Sequence, residues 1–187
     1  CPISFAREGA QPILASRGAD LLLAGAATVE KETGMKPETH AADIGTQAGI
    51  DSLVAAAGDV DILVNNAGAI PGGSLETLSD ARWREAWELK VFGYINMTRA
   101  ILPRMRERKS GVIANIIGMA AVGPKADYVS GAAANAGLAA FTRAVGGEST
   151  RDGVRVFGIH PGQTRTDRIF KLLRDRAATT LGDAERW

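Results

Sequence analysis

The strongest constraint on the fold is a regular alternation of short apolar runs with longer segments of helical pattern. The apolar runs cover residues 12–16, 39–42, 61–65, 111–116 and 154–160, and several are apolar without a break. Such runs are typical of parallel strands that are covered on both faces. Helical patterns occupy residues 47–57, 79–108 and 128–150, and Pro103 is expected to kink or end the second of these. The alternation predicts a doubly wound parallel sheet in a three-layer α/β/α domain.

Length and composition favour a single domain over residues 1–187. The chain is 45% hydrophobic and 23% charged, and its net charge of +1 offers no field for nucleic acid or an anionic membrane. The single cysteine, Cys1, excludes an internal disulfide and fits a reducing compartment. No apolar run reaches the length that crosses a bilayer. We therefore expect a cytoplasmic protein.

Two strand ends carry the residue types of a ligand-binding loop. In DILVNNAGAI, an apolar strand ends in two amides, and the small residues Ala67 and Gly68 would let a flat cofactor approach. In HPGQTRTD, a second strand is followed by a tight turn and hydroxyl side chains. An asparagine-rich turn that only closes a strand is the alternative interpretation of the first motif.

These two motifs occur in order with AADIG, GVIANI and the tyrosine of ADYVSG. Together they resemble the classical short-chain dehydrogenase/reductase family over nearly the whole chain. The resemblance implies a Rossmann-type domain that transfers hydride between a nicotinamide cofactor and a ketone or secondary alcohol. It also implies that Tyr128 is the acid/base that exchanges a proton with the carbonyl oxygen.

The resemblance further implies a cofactor site at the strand ends. Its adenine side would be flanked by Asp43 and Ile44, its ribose side by Asn65, Ala67 and Gly68, and its nicotinamide and diphosphate by Pro161, Gly162, Thr164 and Thr166.

The strand ending ILASR bears on the choice of cofactor. A carboxylate at the end of the second Rossmann strand bonds the ribose hydroxyls of NAD and repels a 2′-phosphate. Ser16 and Arg17 stand here instead, and a hydroxyl with a guanidinium suits the phosphate of NADP. We therefore favour NADP, with NAD as the alternative, since a solvated arginine after a strand is also common.

The catalytic pattern of the family is altered. Gly118 occupies the place of its serine, and Ala132 stands four residues after Tyr128, where the family has a lysine. In ELKVFG, Lys90 takes the place of a family asparagine. We hypothesise that Lys90 replaces the missing lysine from another helix, favouring the phenolate of Tyr128 by its positive charge. The alternative is an exposed helical lysine paired with Glu85 or Glu88.

A second function hypothesis follows from these losses: a cofactor-binding or structural member of the same fold that does not catalyse. The glycine-rich phosphate loop and the first and last strands of the family pattern lie outside the sequence. We therefore expect residues before Cys1, or another segment that fills the gap in the sheet, and a continuation after Trp187. The small residues of the helix over 128–150 fit either tight internal packing or the interface of a homodimer or homotetramer. His160, at a strand end, is expected to be structural, and His40 has no partner at metal-ligand spacing, so no metal site is predicted.

Overall fold

The strands of the computed structural model, which describes residues 2–68, 70–162, 164 and 167–187, are all paired in parallel. They are β1 (Ile13–Ser16), β2 (Glu38–Ala41), β3 (Ile62–Asn65), β4 (Gly111–Ile116) and β5 (Val154–Ile159). In the described part of the chain, β1 pairs with β2, and β4 lies between β3 and β5. The five predicted strands are confirmed, with ends that shift by one residue at most. Strands outside residues 1–187 stay a prediction.

Seven α-helices connect and flank these strands in the described residues. They are α1 (Pro2–Arg7), α2 (Ala19–Thr33), α3 (Gln47–Ala57), α4 (Asp80–Trp87), α5 (Gly93–Arg108), α6 (Val129–Ser149) and α7 (Asp167–Leu181). The parallel strands with flanking helices confirm the predicted α/β class. The sequence analysis did not predict α2 or α7.

The helix predicted over residues 79–108 is divided by a wider turn. Ser79 caps its start, accepting a hydrogen bond from the Arg82 amide at 3.4 Å. A π-helical turn, Glu88–Phe92, then separates α4 from α5. Pro103 does not end the helix, since α5 continues to Arg108. Burial of Leu102 and Met105 on either side of the proline favours the continued helix.

The main core lies between α3, α5 and the sheet. Its fully buried members include Ile50 of α3, Met105 of α5, Ile113 of β4 and Val154 of β5. A smaller cluster of Tyr94, Ile117 and Leu138 joins α5 and the end of β4 to α6. The two clusters fix the helices that carry the candidate site against the strand ends. Within the described residues, no helix has both the length and the apolar character needed to cross a membrane.

Candidate active site

The predicted site residues of the described chain follow the carboxyl ends of the strands. Arg17 follows β1, Asp43 follows β2, Ala67 follows β3, and Pro161 follows β5. Gly118 follows β4 in the same way. Within each parallel sheet these ends lie at one edge, which is the edge where open α/β sheets bind ligands. The predicted site is therefore an edge built from several loops.

The turn after β2 is closed by hydrogen bonds of its own and faces the start of α5. A side-chain oxygen of Asp43 accepts a hydrogen bond from the Gly45 amide at 2.9 Å, and its carbonyl accepts one from the Thr46 amide at 3.0 Å. A side chain on Gly93 would lie 3.3 Å from Ile44, so the glycine lets this turn approach the helix closely. Asp43 and Ile44 are thus held beside the π-helical turn.

Asn65 lies in a buried polar network at the end of β3. Its amide nitrogen donates to the side-chain oxygen of Asn115 at 2.9 Å and to the Thr98 hydroxyl at 3.3 Å. The Asn115 amide then donates to the Thr142 hydroxyl at 2.9 Å, which donates to the Leu138 carbonyl at 2.7 Å. The network joins β3, β4, α5 and α6 below the site. The side-chain nitrogen of Asn65 is therefore directed into the protein interior, and a role in binding the cofactor's ribose stays a prediction.

Position 68 leaves room only for glycine, because the side chain of Lys90 packs against it. The backbone of Gly68 has φ of 152°, a conformation that favours glycine. A Cβ at this position would lie 2.9 to 3.1 Å from the Cδ, Cγ and Cβ atoms of Lys90. The aliphatic part of Lys90 therefore covers the turn after β3.

Lys90 reaches the end of β4 from the π-helical turn. Its ammonium donates a hydrogen bond to the Ile117 carbonyl at 2.7 Å, and the residue is half-buried. The alternative of an exposed helical lysine is therefore wrong. Because Ile117 precedes Gly118, the structure brings a positive charge beside the position where the family has its serine. The proximity of this charge to the Tyr128 hydroxyl stays a prediction.

Tyr128 is the N-cap residue of α6, and its side chain folds back over the first helical turn. Its ring packs against a buried cluster of Ile70, Ala86, Val91 and Ala134. The ring also covers Gly131: a Cβ built there would lie 2.0 Å from Cε1 of Tyr128. The phenol is thus placed on the face of α6 that Gly131 leaves open.

Asn135 is a site residue that the sequence analysis missed. It is buried, and its amide nitrogen lies 3.2 Å from the position of a Cβ on Gly118. Its side-chain oxygen has no hydrogen-bond partner among the described residues. Asn135, rather than Ala132, is therefore the residue of α6 that lies beside Gly118. The signal was a single amide among the alanines and glycines of this helix, four residues after Gly131.

His160 fixes the ends of β4 and β5 to one another. Its Nδ1 lies 3.1 Å from the Gly118 carbonyl oxygen, so Nδ1 carries the proton that this contact needs. The Met119 amide also donates to the Pro161 carbonyl at 3.2 Å. These bonds hold Gly118 and the Pro161–Gly162 turn together. In the described residues no group of three potential metal-ligating side chains occurs.

The remaining predicted residues lie at the margins of the site. Gly162 and Thr164 are exposed, and Thr166 lies outside the described residues. Arg17 is exposed and lines a shallow pocket with residues of α4, including Arg82, Glu85 and Ala86. Its guanidinium is therefore available on the side of the site that faces α4.

Tyr94, the second tyrosine of the chain, has a structural role. Tyr94 is fully buried, and its hydroxyl donates to the Ile116 carbonyl at 3.0 Å. Burial raises the pKa of the Tyr94 phenol far above its usual range. Tyr94 therefore stays neutral and supports β4, which leaves Tyr128 as the phenol on the site side of the fold.

Comparison with known proteins agrees with this geometry. A family model described as short chain dehydrogenase matches residues 3–177. The 2,3-dihydro-2,3-dihydroxybenzoate dehydrogenase of Bacillus subtilis is 32% identical over 149 residues, 78% of this chain and 57% of that protein. An acetoacetyl-CoA reductase of Acinetobacter is 30% identical over 128 residues, 68% of this chain and 52% of that protein. The chain thus spans little more than half the length of these two relatives.

A solved structure extends the similarity to nearly the whole chain. The L-sorbose reductase of Gluconobacter frateurii, complexed with NADPH and L-sorbose, superposes with a TM-score of 0.88 at 30% identity. The superposition covers 98% of this chain and 71% of that protein. The predicted Rossmann-type fold is therefore confirmed.

Proposed function

Because this chain belongs to the short-chain dehydrogenase/reductase family, we propose that it is an NAD(P)-dependent oxidoreductase acting on a small ketone or secondary alcohol. The observation that carries the proposal is the placement of Tyr128. Its phenol lies over Gly131, one helical turn before Asn135, which lies beside Gly118 at the end of β4. A proton donor is thereby held on the helix that borders the strand ends.

The residues present fit a nicotinamide dinucleotide at several points. Gly68 adds no side chain of its own to the turn after β3, where Lys90 packs, and the hydrogen-bonded turn at Asp43 and Ile44 borders the start of α5. Ala67, Asn65, Pro161, Gly162, Thr164 and Thr166 complete the set of residues that would hold the cofactor. Bound there, the nicotinamide would supply or accept the hydride.

Three observations support NADP over NAD. Arg17 is exposed beside the site, and the Ser16 hydroxyl accepts a hydrogen bond from the Gly18 amide at 3.2 Å. A guanidinium and a hydroxyl suit a 2′-phosphate better than bare ribose hydroxyls. The similar L-sorbose reductase holds NADPH. NAD is the alternative.

The chain's own acid/base step uses Tyr128. In the reductive direction its hydroxyl gives a proton to the carbonyl oxygen, and in the oxidative direction the phenolate takes the proton of the alcohol. The ammonium of Lys90, which donates to the Ile117 carbonyl, supplies a positive charge at the end of β4. We propose that Lys90 thereby replaces the lysine that the family has after its tyrosine.

The altered positions favour one second candidate. Gly118 offers no hydroxyl, and Asn135 beside it carries an amide rather than an ammonium. A chain of this kind would bind the dinucleotide without turning over a ketone.

Nicotinamide fluorescence and turnover separate the two candidates. We expect NADPH to bind, and to be oxidised with at least one member of a panel of small ketones and keto sugars. Arg17→Ala should weaken NADPH binding more than NADH binding, whereas Arg7→Ala, which removes an exposed pair with Glu32 on another helix, should change neither. Binding without oxidation across the panel would support the non-catalytic candidate, and no binding of either dinucleotide would refute both.

A further inference from the structure

Helix α6 contains glycines that its backbone does not need. Gly131 and Gly137 both lie inside the helix, and neither has a positive φ. A glycine in a helix destabilises that helix relative to alanine. We therefore ask whether the surroundings of each of these two glycines leave room for a side chain.

The surroundings of the two glycines differ. Around Gly137, no atom lies within 4 Å of an added Cβ. At Gly131, an added Cβ would lie 2.0 Å from Cε1, 2.1 Å from Cζ and 2.6 Å from the hydroxyl oxygen of Tyr128. These separations are far below van der Waals contact, so the phenol ring fills the space of the missing side chain.

The backbone of Tyr128 directs its ring into that space. The residue precedes the helix with φ of −143° and ψ of 37°, and its carbonyl accepts the Ala132 amide at 2.9 Å. Its amide is fixed at 3.1 Å from the Lys125 carbonyl. Since both backbone groups are held, the ring cannot move off an added methyl group without a change of rotamer or of the turn.

We infer that Gly131 is a positioning residue for Tyr128. Because Gly131 has no side chain, the phenol ring of Tyr128 can occupy the space beside it on α6. The inference rests on the proposed function, because the phenol matters to catalysis only if Tyr128 is the acid/base. A methyl group at residue 131 would displace the whole end of the ring that carries the hydroxyl. A displacement of about 1 Å at a reacting group can lower a rate by about 100-fold.

The position of the ring is tested by NMR of tyrosine-labelled protein. The chain has two tyrosines, so two sets of ring signals are expected, and Tyr128→Phe assigns them. Gly131→Ala should shift the Tyr128 signals and leave those of Tyr94 in place. Gly137→Ala is the matched control on the same helix and should shift neither.

Thermal unfolding tests the same contact without reference to activity. Gly137→Ala should raise the Tm by about 2–4 °C through helix propensity. Gly131→Ala should lower the Tm in the presence of the Tyr128 ring, and should raise it by about 2–4 °C in a Tyr128→Ala background. Unchanged Tyr128 signals together with a raised Tm in Gly131→Ala would overturn the inference.

Kinetics then test the consequence for catalysis. Gly131→Ala should lower kcat by about 100-fold while leaving NADPH affinity unchanged, and Gly137→Ala should change neither. Full kcat in Gly131→Ala with a displaced ring would refute the positioning role. A parent protein that binds NADPH but reduces no ketone would instead refute the proposed function, while the NMR and unfolding results would still decide the contact.

Discussion

Replacing Asn115 by alanine should destabilise the fold more than any change to an exposed amide. Asn115 is fully buried, accepts one hydrogen bond from Asn65 and donates one to Thr142, both at 2.9 Å. Each lost bond costs about 1 kcal/mol, and the Asn65 proton left without its acceptor costs about 1–3 kcal/mol more. The expected loss is therefore about 3–5 kcal/mol, which is a large part of the roughly 5–15 kcal/mol of an ordinary domain.

Urea unfolding followed by circular dichroism measures this loss. The matched control is Asn96→Ala on α5, which removes a surface hydrogen bond with Arg99 and should change stability by less than about 0.5 kcal/mol. The double variant with Asn65→Ala should lose less than the sum of the single losses, because one bond is removed twice. A loss below about 1 kcal/mol for Asn115→Ala, or strict additivity with Asn65→Ala, would refute the view that this network pins the strand ends.

Three further changes test other parts of the account. Lys90→Met should lower ketone turnover more than NADPH binding. It should also cost about 1–2 kcal/mol of unfolding free energy, since a charge-assisted hydrogen bond to the end of β4 is lost at a half-buried position. Equal losses in turnover and binding would contradict the proposed catalytic role of Lys90. Burial raises the pKa of the Tyr94 phenol, so unfolding free energy should fall as pH rises above about 10, where only the unfolded chain releases this proton. Tyr94→Phe should remove the contribution of Tyr94 to this fall in unfolding free energy. The same pH dependence of unfolding in both proteins would contradict a raised pKa of Tyr94. Gly49→Ala would place a Cβ 2.0 Å from the Asp43 carbonyl oxygen, so we expect lower Tm and weaker dinucleotide binding, whereas Gly25→Ala, with no atom within 4 Å, should show neither.

The fold was largely predictable because its signals are local. Short apolar runs, several of them continuous, predicted the five strands, and the boundaries of α3 were predicted as they are observed. The helix α2 was missed because its apolar residues do not form a clear buried stripe, and Leu21 and Leu23 are largely exposed. The division at Glu88–Phe92 was not predicted either, since π-helical turns are rare and the helical pattern runs through these residues without a break.

The candidate site was predictable only in part. Motifs at the strand ends identified the loops, whereas the hydrogen bond from Lys90 to the Ile117 carbonyl was not predicted, and the proposed replacement of the family lysine by Lys90 stays a prediction. The contact between Asn135 and Gly118 was not predicted, because it depends on the rotation of α6 about its axis. The placement of the Tyr128 ring over Gly131 likewise depends on a side-chain rotamer at a helix start, which sequence spacing does not specify.

The central claim is that the Tyr128 phenol is the acid/base of an NADP(H)-dependent oxidoreductase, and Tyr128→Phe tests it most directly. The phenylalanine ring keeps the packing over Gly131 and removes only the hydroxyl, so NADPH binding and the Tm should be nearly unchanged. Ketone reduction, followed by the loss of NADPH absorbance, should fall by about 10²–10⁴-fold, the usual contribution of a general acid. Turnover by Tyr128→Phe that equals that of the parent protein, with equal NADPH binding, would contradict the claim.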